Sequence, residues 1–215
     1  MKIGVLGTGM VGDAIGTKLT QLGHEVRMGA RAAGNEKAAA WAKQVGARAS
    51  AGTFADAAAY GEIVFNCTKG DASLSALALA GADKLRGKVL VDVSNPLDFS
   101  RGMPPSLFVA NTDSLGEQIQ RAFPEAKVVK ALNTVNCNLM VDPRRLGGGE
   151  HTTFMSGNDV VAKAQVRQLL TEFGWTHIID LGDIATARGT EAYLLLWTRL
   201  WGAVGSAEFN VKLVR

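Results

Sequence analysis

Lys2-Ile3-Gly4-Val5-Leu6-Gly7-Thr8-Gly9-Met10-Val11-Gly12 is an apolar, strand-like run that turns through three glycines into the start of an amphipathic helix. The glycines fall in the spacing G-x-G-x-x-G, and each has a separate task at such a turn. Gly7 permits the tight reversal, Gly9 lacks the Cβ that would hold a diphosphate off the backbone, and Gly12 lets the helix pack against the strand. Free N–H groups at the helix start, around Thr8, Met10 and Val11, then face an anion, and the helix dipole adds to the attraction. A glycine-rich turn without a ligand is the competing reading. The strand–turn–helix context weighs against it.

Outward from that turn, short β-branched runs alternate with Ala-rich helical stretches, the pattern of βαβ units and a parallel sheet. Strands are expected near residues 2–6, 25–28, 47–51, 62–67, 88–93 and 127–131, and helices near 10–22, 35–45, 53–60 and 114–122. Beyond residue 150 the alternation predicts strands at 152–155, 176–180 and 209–214, with helices at 159–173 and 185–204. The fold class read from this is α/β: a Rossmann-type, doubly wound parallel sheet over residues 1–150 with a small C-terminal α/β extension over 151–215.

The second strand decides which nucleotide fits. Sites for NAD place an Asp or Glu about 20 residues past the glycine turn, where it accepts bonds from the ribose hydroxyls. Here that strand ends in Met28-Gly29-Ala30-Arg31, with no acid. A carboxylate would repel a 2′-phosphate, whereas a guanidinium grips it with two charge-assisted bonds. Ala30 and Arg31 therefore point to NADP, with Thr8 and Lys37 as further contacts; a solvated loop arginine is the plainer alternative.

Ligands of open parallel sheets lie outside the carboxyl ends of the strands. Two further strand ends, Cys67-Thr68-Lys69 and Ser94-Asn95-Pro96, should border the ribose and nicotinamide. Ala131-Leu132-Asn133-Thr134 should approach from the opposite side. Turn capping is the competing role for these Asn and Thr side chains. No Ser/His/Asp set, paired carboxylates or metal-ligand cluster stands out, so no catalytic or metal residue is assigned. Lys69 and Lys130 are candidate acids only for carbonyl or imine reduction. A site without an evident acid suits hydride transfer between two redox rings, which needs alignment and little proton handling.

Composition narrows the classes further. The 215 residues are 47% hydrophobic with a formal net charge of +3. There is enough apolar content for a core, and no basic stripe with interleaved aromatics that would suit nucleic acid. Cys67 and Cys137 are unclustered, which reads as reduced thiols. The start of the chain lacks a secretory pattern and the apolar stretch 193–204 is too short to span a bilayer, so a cytoplasmic protein is expected. Residues 192–204 carry apolar side chains around most of a helix, including Trp197 and Trp201, so a homodimer contact or a wall of the partner pocket is expected there.

Taken together, Gly7 to Gly12, Gly29-Ala30-Arg31, Ser94-Asn95-Pro96-Leu97, Lys130-Ala131-Leu132-Asn133-Thr134, Gly189-Thr190-Glu191-Ala192-Tyr193 and the stretch from Trp197 to Trp201 resemble one family over nearly the whole chain. It is the deazaflavin-dependent NADP oxidoreductases, also called NADPH-dependent F420 reductases, to which the ferric-reductase domains of the STEAP proteins are related. The resemblance implies direct hydride transfer between NADP(H) and coenzyme F420 or a flavin, without a dedicated acid or base. It also implies that the second ring rests near Asn95, Pro96, Asn133 and Thr134. Two positions depart from the pattern: Ala30 stands where many relatives have Ser or Thr, and Lys69 charges a loop that is often small and neutral. An imine or β-hydroxy-acid reductase and a non-catalytic NADP(H) sensor are the alternatives. The first usually adds a long all-helical domain, and the tail here reads as strands with one helix.

Overall fold

The computed structural model describes residues 1–214. Among the described residues there are ten strands: β1 (Lys2–Leu6), β2 (Glu25–Ala30), β3 (Ala49–Thr53), β4 (Ile63–Asn66), β5 (Val89–Asp92), β6 (Leu97–Asp98), β7 (Ser106–Leu107), β8 (Lys127–Ala131), β9 (Thr152–Gly157) and β10 (His177–Asp180). The helices are α1 (Met10–Gln21), α2 (Glu36–Val45), α3 (Phe54–Tyr60), α4 (Gly70–Ala80), α5 (Ala82–Leu85), α6 (Leu115–Ala122), α7 (Cys137–Val141), α8 (Val160–Phe173), α9 (Ala187–Ala192) and α10 (Leu194–Val204).

Eight strands form one sheet in the order β10-β9-β8-β5-β4-β1-β2-β3, and β6 pairs with β7 as a separate small hairpin. The chain runs outward from β1 through β2 to β3, then crosses back to lay β4 on the other side of β1. The order therefore reverses between β1 and β4, and the crevice above that reversal is where such sheets bind ligands. β4 and β5 are buried along their whole length. That is the signature of parallel strands covered on both faces, and it explains the three consecutive apolar residues with which each begins.

Alternate residues of a strand point to opposite faces, and the packing follows this. Ile3 and Val5 of β1 join a core with Ile15, Trp41, Leu169 and Trp175. Leu6, Val64, Leu90 and Val128 join a second core with Ala57, Leu77 and Ile119. Gly16 makes the first core close-packed: a Cβ there would lie 2.8 Å from Cζ2 of Trp41. The start of α3 is fixed by a capping box, in which Thr53 and Asp56 satisfy each other's exposed N–H groups.

Several elements depart from the sequence expectations. The sheet is parallel from β3 to β8, but β9 pairs antiparallel with β8 and β10 follows β9. The segment 132–151 stays at the carboxyl edge of the sheet, so β9 has to re-enter it in the opposite direction. The single helix expected at 185–204 is a short 3-10 turn (Ile184–Thr186), α9 and α10, divided at Tyr193. The strand expected at 209–214 does not form. That segment instead runs beside the start of β9, where Thr152 N–H donates to Val211 O at 2.9 Å and Asn210 is engaged by His151 and Thr152. Helix α4 had no counterpart in the reading of the sequence, although its buried Ser73, Ala76, Leu77 and Ala80 follow a helical period. Its uniformly small and apolar residues give the period little contrast. Among the described residues, no helix is long and apolar enough to cross a membrane.

Candidate functional site

The glycine turn has the geometry its spacing implies. Gly7 has φ +118°, which L side chains rarely adopt, and its N–H donates to Gly29 O at 3.0 Å, tying β1 to β2. A Cβ on Gly12 would sit 2.0 Å from Gly7 O, so helix and turn can approach only without it. Gly9 is the opposite case: a Cβ there would meet nothing within 4 Å. It faces open space beside the start of α1, whose N-cap is Gly9 itself with no capping side chain. Uncapped N–H groups facing open space are what a phosphate needs.

The remaining candidates lie along the same edge. Ala30 ends β2 and is buried, and Arg31 is exposed immediately after it; Lys37 is exposed in the first turn of α2. Among the described residues neither Arg31 nor Lys37 forms an ion pair, so both cations are free for an anion. Cys67, Thr68 and Lys69 follow β4, Ser94 to Pro96 follow β5, and Ala131, Asn133 and Thr134 lie at the end of β8. Burial pushes the Cys67 thiol well above its ordinary range, and the Asp92 carboxylate adds to the effect, so the thiol stays neutral.

The structure brings the β5 and β8 loops into direct contact. Asn95 Nδ2 donates to Asn133 O at 2.8 Å, and Asn133 Nδ2 donates to Asn95 Oδ1 at 3.0 Å and to Thr190 O at 3.2 Å. Leu132, wholly buried, takes φ +62° so that its side chain stays in the core while the backbone turns Asn133 toward Asn95. For a non-glycine residue that conformation costs about 1–2 kcal/mol. Thr68 Oγ1 donates to Asn66 Oδ1 at 2.6 Å. The side chains of Thr68, Asn95 and Asn133 are thus committed within the protein, and they shape the loops that line the crevice. Asn136 caps α7 by accepting from the Asn138 and Leu139 N–H groups, the role turn chemistry favours for it.

Beneath these loops lies a charged layer that reading the sequence missed. Asn66, Asp92, Lys130 and Ser156 stand side by side in register across β4, β5, β8 and β9. Lys130 Nζ donates at 2.7 Å to Asp92 Oδ2 and to Ser94 O, and pairs at 2.7 Å with Glu191 Oε1 of α9. Asp92 Oδ1 also accepts from Asn66 Nδ2, Ser94 N–H and Ser94 Oγ. Glu191 accepts the Leu115 and Gly116 N–H groups at 2.8 and 3.0 Å, closing the start of α6. Burial alone would lower the Lys130 pKa; Asp92 and Glu191 outweigh it and hold the ammonium above its ordinary value. With its three N–H donors occupied and 1% exposure, Lys130 is no proton donor to a substrate. The signal was present: one acid and one base close otherwise apolar runs, Val89-Leu90-Val91-Asp92 and Val128-Val129-Lys130.

The residues present fit an NADP-type dinucleotide. An open glycine cradle, an uncapped helix start and an unpaired guanidinium stand at the edge where the chain order reverses.

A family model described as NADP oxidoreductase, coenzyme F420-dependent, matches residues 2–96. The chain is 55% identical to a protein from Arthrobacter sp. FB24 assigned as an F420-dependent NADP-reductase, with complete coverage of both chains and a TM-score of 0.95. Metalloreductase STEAP3 of Rattus norvegicus is 31% identical over 202 residues, which are 93% of this chain and 38% of that protein, so the chain spans well under half of that curated relative. A reductive aminase from Aspergillus terreus, solved in complex with NADPH, shares the fold at 19% identity and a TM-score of 0.68, over 95% of this chain and 62% of that one.

Proposed function

Since the chain belongs to the coenzyme F420-dependent NADP oxidoreductase family and is an NADP-dependent oxidoreductase, we propose that it passes hydride directly between NADP(H) and a deazaflavin or flavin ring. One observation carries the reading: the open cradle at Gly9 lies at the same sheet edge as the unpaired Arg31. The backbone N–H groups of the turn take the diphosphate, Arg31 with Lys37 takes the 2′-phosphate, and the loops at Asn95 and Asn133 wall the ring end. The bound nucleotide supplies the hydride, and the chain's residues align it and exclude water.

Hydride transfer between two rings needs no acid or base at the wall, and Lys130, locked in its pairings, does not serve as one. Imine reduction, the chemistry of the more distant aminase, calls for a proton donor and is the weaker reading. A sensor would bind NADPH and never oxidise it.

The test is loss of the reduced-nicotinamide absorbance with F420, FMN, FAD, ferric chelates and quinones in turn. The expected result is turnover with at least one ring acceptor using NADPH, and much slower turnover with NADH. Binding without turnover on every acceptor would leave only the sensor. Arg31→Asp is expected to weaken NADPH by about 10- to 100-fold, the worth of one or two charge-assisted bonds, and to leave NADH nearly unchanged. Calorimetric titration checks this. Equal losses for both nucleotides would remove Arg31 from phosphate recognition.

The apolar side of α10 is the surface through which we propose the chain pairs with a second copy. Only Leu194 and Thr198 are buried on that helix, while Leu196, Trp201 and Val204 are exposed. Sedimentation of the wild type against Trp201→Glu is expected to separate dimer from monomer.

A further inference from the structure

We infer that the buried Asp92–Lys130–Glu191 cluster is an electrostatic device that favours binding of the oxidised, positively charged nicotinamide over the reduced form; this rests on the reading that the crevice holds NADP(H).

The charge of the cluster follows from its hydrogen bonds. All four carboxylate oxygens accept donors: Asp92 Oδ1 from Asn66 and Ser94, Asp92 Oδ2 from Lys130, Glu191 Oε1 from Gly116 N–H and Lys130, and Glu191 Oε2 from Leu115 N–H. Every one of these oxygens is matched by a donor, the pattern of two carboxylates gathered around one ammonium. Against two negative charges stands the single ammonium of Lys130. The start of α6 contributes about half a positive charge, and the nearby Glu117–Arg188 pair cancels itself. A net negative charge remains in a place with no water to screen it: Asp92, Lys130 and Glu191 are 0%, 1% and 2% exposed.

Its position makes that charge relevant to the site. Ser94 O binds Lys130, and the next residue, Asn95, binds Asn133. Asn133 in turn holds Thr190 O, next to Glu191. The cluster is therefore one residue removed, on two sides, from the loops assigned to the nicotinamide. A bare structural tie would be neutral, with one acid for one base. The second acid, delivered from α9, supplies the excess. The oxidised nicotinamide ring carries one positive charge more than the dihydronicotinamide, so fixed negative charge behind loops that would wall it favours the oxidised form over the reduced one.

The experiment is the ratio of the NADP+ and NADPH dissociation constants, measured by calorimetry without acceptor. Wild type is expected to bind NADP+ at least as tightly as NADPH. Glu191→Gln and Asp92→Asn are each expected to raise the NADP+/NADPH ratio by about fivefold, the scale of one charge removed across a medium of intermediate dielectric. Glu191→Asp, which keeps the charge, should restore the wild-type ratio even if both affinities fall. Loosened loops would weaken both forms by one factor, and that outcome overturns the inference. A wild type that prefers NADPH by more than about tenfold would also overturn it, without any variant having to fold. Failure of the wild type to bind either form refutes the NADP(H) reading itself, whereas binding with an unmoved ratio refutes the electrostatic role alone.

Discussion

Gly9→Ala is expected to fold as well as wild type and to bind NADPH about 100-fold more weakly, the equivalent of one or two lost hydrogen bonds to a charged phosphate. The residue has φ −84° and ψ −177°, a conformation alanine adopts without strain. The added methyl meets no protein atom within 4 Å, so nothing in the fold resists it. What it fills is the space in which a diphosphate would approach the Met10 and Val11 N–H groups. Gly12→Ala is the informative contrast. Its methyl would stand 2.0 Å from Gly7 O, so α1 has to move away from the strand and stability falls. Thermal unfolding and NADPH titration on both variants separate the two roles. A Gly9→Ala protein that binds normally would mean that the dinucleotide does not lie on this turn.

Lys130→Met is expected to destabilise the fold by about 3–5 kcal/mol, because removing one partner leaves buried charge uncompensated. The apolar stem is nearly conserved in volume, so packing contributes little to the loss. Asp92 and Glu191 then face each other with no cation between them, and Ser94 O loses its donor. Urea unfolding of the single variant, and of Lys130→Met combined with Glu191→Gln, measures the coupling. The double variant should recover part of the loss, since one orphaned charge is removed with the ammonium. A cost below about 1 kcal/mol for the single variant would put the cluster on a par with surface pairs and contradict its burial.

Much of this site could be read from local sequence, and the residues that could not share one feature. Gly7, Gly9 and Gly12 act through backbone geometry within six residues, so their spacing carries the information. Arg31 is legible because strand length fixes where β2 ends. Asp92, Lys130 and Glu191 are far apart in the chain, and a charge in an apolar run, as at Asp92 and Lys130, does not name its partner. Only the pairing of β5 with β8, and the return of α9 over α6, makes them one cluster. The same division holds for the elements. Strands β4 and β5 announce themselves by the apolar triplets Ile63-Val64-Phe65 and Val89-Leu90-Val91. The antiparallel entry of β9 depends on where residues 132–151 travel.

The sequence by itself determined the alternation of strand and helix, the tight glycine turn and the cation at the end of β2. Each is a property of a few neighbouring residues whose φ/ψ range, periodicity or charge is local. Tertiary structure alone decided the direction of the last two strands, the mutual clasp of Asn95 and Asn133, and the negative cluster beneath them. Those features rest on contacts between segments distant in the chain, and a buried charge has meaning only once its neighbours and the exclusion of water are fixed.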